Sequence, residues 1–135
     1  MGTAVGFAFA GAAVVVRGFL LSIPSPPTGI DARVNPYPPT AESIAIGKRV
    51  YRTYCQACHG LEGRGDGPGA ATLYPPPTDF MIHFASGHTH PDGRLYLWIT
   101  DGMGGTGMPG FKHRLSDAER WDVISYLRTF TPTDR

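Results

Sequence analysis

The only two cysteines of the 135-residue chain stand three positions apart, in Cys55-Gln56-Ala57-Cys58-His59. On a turn of helix, positions i and i+3 share a face, so both sulfurs project the same way. Thiols placed like this reach two neighbouring vinyl groups of a single porphyrin, and C-x-x-C-H is the attachment signature of a c-type haem. His59 follows directly and is placed to turn its imidazole toward the iron as proximal ligand. Met108, in Gly107-Met108-Pro109-Gly110-Phe111, offers a thioether as the second axial ligand, and a Met/His pair raises the haem potential. The expected cofactor is one covalently bound haem c. A lone Cys-x-x-Cys also occurs in thioredoxin-like dithiols and as half of a zinc site. The His after Cys58, the lack of a third cysteine and the downstream Met-Pro weigh against both.

The elements that position these residues form one modest domain with an appendage. Twelve basic and eleven acidic residues leave a formal charge of +1. There is no basic or acidic tail, so nucleic acid is not an expected partner. Eighteen glycines and thirteen prolines predict long irregular segments. Residues 3–23 are apolar except for Arg17 and two hydroxyls. At ~1.5 Å per residue they would span roughly 30 Å, one bilayer. They lack the basic start of a cleaved signal peptide, so a single transmembrane anchor over residues 1–23 is expected. Gly6, Ala8, Gly11, Ala12 and Ala13 suit packing against other membrane helices, and Arg17 needs a partner or an interfacial position. Residues 24–39 carry Pro24, Pro26, Pro27, Pro36, Pro38 and Pro39. They predict a stiff, extended linker that holds the rest clear of the membrane or lies across a neighbouring subunit. The domain proper is expected over residues 40–135.

Residues 41–131 resemble a small class I cytochrome c of the bacterial single-haem kind. The resemblance rests on Cys-x-x-Cys-His-Gly, a Gly-rich loop, a Pro-rich turn, and Met-Pro-Gly-Phe before a last helix. It implies an all-α fold in which the N- and C-terminal helices cross around one haem, here preceded by the transmembrane helix and the Pro-rich linker. It also implies that Gly47 and Tyr51 mark the crossing of the first helix with the last. A proline carbonyl beside the haem, from Pro76 or Pro77, is implied as acceptor of the His59 N–H, which would fix the ring.

Around these positions the patterns are local. Thr40 is a candidate N-cap for a helix running from Ala41 to the Cys-x-x-Cys turn, with Ile44, Gly47, Tyr51 and Tyr54 on one stripe. Tyr74-Pro75-Pro76-Pro77-Thr78-Asp79 is expected to be extended. Asp92 to Thr100 predicts a short helix whose Leu95, Trp98 and Ile99 face the porphyrin, with the Trp98 indole a donor to a haem propionate. Ser116 and Glu119 form a capping box for a last helix reaching Phe130, with Val123, Ile124, Leu127 and Phe130 buried. Gly102-Met103-Gly104-Gly105-Thr106-Gly107 matches G-x-G-x-x-G, but Met-Pro follows instead of a helix, so no nucleotide site is expected. Met103 is a second candidate ligand, with Met108 favoured by its Pro-Gly-Phe context. His83, His88, His90 and His113 are expected as loop histidines; His88-Thr89-His90 is a weak metal signal, and His83 a minor rival for the distal position.

With both axial positions filled by His59 and Met108, the iron can only change valence. No Ser/His/Asp set, paired carboxylates or phosphate loop suggests separate catalysis. The expectation is a non-enzymatic electron-transfer protein, a membrane-anchored subunit of a respiratory or photosynthetic complex. A tethered carrier swinging between complexes is one alternative; a haem sensor or peroxidase-like enzyme with a labile Met is another. Its partners would be redox proteins, other subunits of that complex and the membrane itself. The haem domain would lie on the periplasmic side.

Overall fold

A computed structural model of the protein describes residues 29–130, and these are helices and loops. The first helix, α1, runs Ala41–Tyr54. Thr40 caps it, accepting from the Ser43 N–H, while the Ser43 hydroxyl accepts from the Thr40 N–H. A four-residue helix, α2 (Gln56–His59), carries the Cys-x-x-Cys-His turn directly after it. Next come α3 (Phe80–Ala85), α4 (Asp92–Asp101) and α5 (Asp117–Leu127), with α5 continuing as a 3-10 turn to Phe130.

The main packing is α1 against α5. The buried stripe of α1 is Ser43, Gly47, Val50 and Tyr51. It differs from the expected stripe because Ile44 is only half-buried and Tyr54 is 37% exposed. A Cβ built on Gly47 would overlap the backbone carbonyl of Asp122, so the two helices touch backbone to backbone there. The α5 side is completed by Trp121, Val123, Ile124 and Leu127. Trp121, outside the expected buried stripe of Val123, Ile124, Leu127 and Phe130, is 2% exposed and stacks on Tyr96 with ring centroids 4.3 Å apart. The capping box of α5 forms as expected, with Ser116 accepting from Glu119 N–H and Glu119 accepting from Ser116 N–H. At its far end Arg128 Nε donates to Asp92 Oδ1 at 3.0 Å, fastening α5 to the start of α4.

The expectation of a transmembrane helix is corrected. Among the described residues no helix is long and apolar enough to cross a membrane. The longest, α1, has 14 residues, about 21 Å against a hydrocarbon core of roughly 30 Å, and it carries Glu42, Lys48, Arg49 and Arg52. Residues 1–23, on which that expectation rested, lie outside the described residues. The linker also differs from expectation over its described part. A 3-10 turn at Gly29–Ala32 packs on α4. The Arg33 guanidinium sits 5.3 Å over the Tyr96 ring, and Asn35 Nδ2 donates to Ser125 Oγ at 3.2 Å. Residues 29–35 lie across the domain rather than leading away from it, held through the Tyr96 ring, the Trp121 carbonyl and the Ser125 hydroxyl.

Asp122 is buried at the α1–α5 contact. Burial, and then the carboxylates of Glu119 and Glu42, push its pKa above the ordinary value. The native state therefore holds a proton that the unfolded chain releases. The contribution of this group to stability is fully present below the ordinary carboxylate range and is lost as pH rises through the folded pKa. Asp122→Asn should flatten that fall in urea midpoints measured across the acid range. A decline equal to the parent's would assign the effect to another group.

Candidate cofactor site

Helix α2 is too short to hold its own shape, and the Gly-rich loop after it supplies the missing hydrogen bonds. The N–H groups of Gly60, Gly65, Gly67 and Gly69 donate to the carbonyls of Gln56, His59, Cys58 and Ala57 at 2.8–3.1 Å. These carbonyls are the acceptors a helix C-terminus leaves without partners. Any side chain at Gly67 would overlap the carbonyl oxygens of Gln56 and Ala57. The loop therefore clamps the turn that bears Cys55, Cys58 and His59. Tyr51, wholly buried, donates its hydroxyl to the Gly60 carbonyl at 2.7 Å and ties the clamp to α1.

Two cavities meet at this turn. The larger, about 240 Å³, is lined by Cys55, Cys58, His59, Leu73, Met108 and Phe111, with Pro75, Pro76 and Pro77 along one side. The smaller, about 120 Å³, lies among His59, Phe84, Leu95, Trp98, Ile99 and Met108. His59, Thr78, Met103 and Met108 line both. The structure thus brings together the expected attachment cysteines, the expected axial pair, Pro76 and Trp98 around one cleft.

The electrostatics suit the chemistry of these groups. Burial lowers the His59 pKa below its ordinary value, partly offset by its contact with the Thr78 carbonyl. The imidazole is held neutral, with a lone pair for a metal. Burial, and then Cys58, push the Cys55 thiol up to about 12, so an unreacted Cys55 is a thiol and not a thiolate. The ring of His59 stacks on Phe80 with centroids 4.7 Å apart. Its Nδ1 lies 3.5 Å from the carbonyl oxygen of Thr78.

That acceptor replaces the expected proline carbonyl. Pro76 and Pro77 line the cavity, but the chain turns between Pro77 and Asp79 to enter α3. Asp79 caps α3 by accepting from Ile82 N–H at 3.1 Å, and Phe80 N–H donates to the Gly63 carbonyl at 2.7 Å. These two bonds point the Thr78 carbonyl at His59. Helix α3, Phe80 and Thr78 were not among the expected site elements. The one available signal was Asp79 ahead of Phe-Met-Ile, an N-cap before an apolar run.

Of the histidines expected in loops, His88, His90 and His113 lie outside the helices, and His83 alone lies on a helix, α3. His83 and His90 line the smaller cavity. Ring centroids of His83 lie 5.4 Å from His88 and 5.1 Å from His90. Among the described residues no group of three His, Cys, Asp or Glu is arranged to hold a metal ion.

The donor set fits a c-type haem. Two thiols, a neutral imidazole and a thioether meet in a cleft whose other walls are mostly Leu, Ile, Pro and Phe. Comparison with known proteins agrees. The family model for cytochrome c matches residues 44–131. The chain is 31% identical over 87 residues to cytochrome c6 of Synechocystis sp., covering 64% of this chain and 65% of that one. It is 28% identical over 110 residues to the thiosulfate dehydrogenase of Stutzerimonas stutzeri, covering 76% of this chain and 34% of the relative. A chain of the reducing HAO-like protein complex of Kuenenia stuttgartiensis superposes with a TM-score of 0.64 at 34% identity. That match covers 79% of this chain and 50% of the other. The chain thus spans a third to two thirds of the length of these relatives.

Proposed function

The chain belongs to the cytochrome c family, and from that premise we propose that it relays single electrons as one component of a larger oxidoreductase assembly. Haem c is its covalent cofactor, and electron transfer is the work of the domain. Bound in the cleft, haem c supplies an iron that exchanges one electron between its ferric and ferrous states.

The polypeptide does the rest. Cys55 and Cys58 fix the cofactor's edge to α2, and the loop from Gly60 to Gly69 prevents α2 from shifting. His59 and Met108 would hold the metal, the one through its imidazole and the other through its thioether. The Thr78 carbonyl and the Phe80 ring set the orientation of the imidazole, which raises its basicity as a ligand. Leu95, Ile99 and Phe111, all buried, exclude water and limit rearrangement when the charge changes. Trp98 and Pro76 complete the walls.

The observation that carries the reading is that His59 and Met108 both line the space shared by the two cavities. Filling both axial positions leaves no coordination site for a substrate, which favours a relay over an oxygen- or peroxide-using enzyme. Membership of an assembly is supported by the relatives: one is a thiosulfate dehydrogenase and another is a chain of a multi-protein complex. Covalent haem attachment of this kind takes place outside the cytoplasm, which supports an extracytoplasmic position for the domain. The reduced holoprotein should bind carbon monoxide slowly or not at all, and should co-purify with redox subunits from its source under mild conditions. Rapid carbon monoxide binding by the native reduced protein would instead favour a sensor or peroxidase-like role.

A further inference from the structure

Met103 shares the position of Met108 in a way that the ligand reading does not use. Among the described residues only His59, Thr78, Met103 and Met108 line both cavities, and three of these carry a side-chain donor suited to haem iron. The two methionines stand on the two sides of a narrow loop. Gly102 and Pro109 form an antiparallel bridge at its base, and Met103 N–H donates to the Met108 carbonyl at 3.2 Å. The Thr106 hydroxyl donates to the Met103 carbonyl at 2.7 Å and accepts from Met108 N–H at 3.1 Å. The base is anchored on α4, where Phe111 N–H donates to the Ile99 carbonyl at 2.9 Å and Lys112 N–H to the Thr100 carbonyl at 3.1 Å.

Both methionines are half-buried rather than locked in the core. A methionine side chain has three rotatable bonds and fills irregular space without a fixed shape. Between the two residues, a Cβ added at Gly104 or Gly105 would meet nothing within 4 Å, whereas one at Gly107 would press on Leu73, so the loop is open at its tip and packed beside Met108. Exchange of one thioether for the other leaves the bridge and the anchoring bonds to α4 in place.

We propose that Met103 is a reserve axial ligand, which takes the distal position whenever Met108 is lost from it. The inference rests on the assignment of Met108 as the primary distal ligand. Its consequence is that the iron stays closed to exogenous ligands through a change that would open a site guarded by one methionine alone. Thr106 is the positioning residue, because one hydroxyl holds the backbone of both methionines.

The test uses holoprotein carrying Met108→Leu, Met103→Leu and both changes together; leucine conserves volume and has no donor. The readouts are the sulfur-to-iron charge-transfer band of the ferric form, the spin state and carbon monoxide binding by the ferrous form. Met103→Leu should keep the sulfur-to-iron band, because Met108 still holds the distal position, while its potential can shift because Met103 lines the cleft. Met108→Leu should keep a low-spin, sulfur-ligated iron with a shifted potential. Only the double variant should lose the band and bind carbon monoxide freely. If Met108→Leu alone loses the band and binds carbon monoxide as fast as the double variant, Met103 is not a reserve ligand, while the primary assignment stands. If Met108→Leu is indistinguishable from the parent and Met103→Leu loses the band, the primary assignment fails instead.

Discussion

In the Cys55→Ser, Cys58→Ser double variant, all haem should pass into acid-acetone when the unfolded protein is extracted, whereas the parent chain should retain all of it. Each single variant should keep its haem through one thioether, with poorer retention overall. The reason is that only Cys55 and Cys58 can form a bond that survives unfolding; the grip of His59, Met108 and the apolar walls disappears with the fold. Serine nearly conserves shape at both positions, and both cysteines are only partly buried, so the polypeptide itself is not the target of the change. Absorbance of the extracted pellet measures the result directly. Haem remaining with the double variant would place the covalent bond elsewhere and undo the cofactor site built here.

The second large effect falls far from the cofactor. Gly47→Ala should lower stability by about 3 kcal/mol, at or beyond the upper end of ordinary overpacking costs. Two terms oppose each other. Alanine gains about 1 kcal/mol of helix propensity over glycine. Against this, the new Cβ would overlap the Asp122 carbonyl and press on Tyr126 Cβ at 3.0 Å. Because the obstacle is backbone, the helices must separate, and Tyr51, Val123 and Ile124 lose contact with one another. The clash therefore outweighs the propensity. A domain of this size should lose roughly 10 °C or more in melting temperature. Gly104→Ala is the control, since a Cβ there meets nothing within 4 Å and should change little. Equal melting temperatures for the two variants would mean that the helices do not cross at Gly47.

What the sequence determined by itself is the chemistry that depends on near neighbours. The Cys-x-x-Cys-His turn, the capping box at Ser116 and Glu119, the helix from Asp92 and the helix from Ala41 are each set by contacts three or four positions apart. Such contacts are written in contiguous residues, so spacing alone reveals them. The last helix was legible for the same reason, though not the depth to which Trp121 is buried.

The tertiary structure decided which distant segments face one another. The acceptor beside His59 is the Thr78 carbonyl, 19 positions away, and not one of the prolines before it. Two hydrogen bonds at the start of α3 fix that direction. Residues 29–35 lie along α4 and α5 because Tyr96, Trp121 and Ser125 converge there, which no local pattern in those residues announces. Met103 meets Met108 at one cleft only because the loop between them closes on a bridge anchored to α4. Each of these outcomes turns on the relative placement of whole elements, which follows from the summed burial of many side chains, and no short motif encodes that sum.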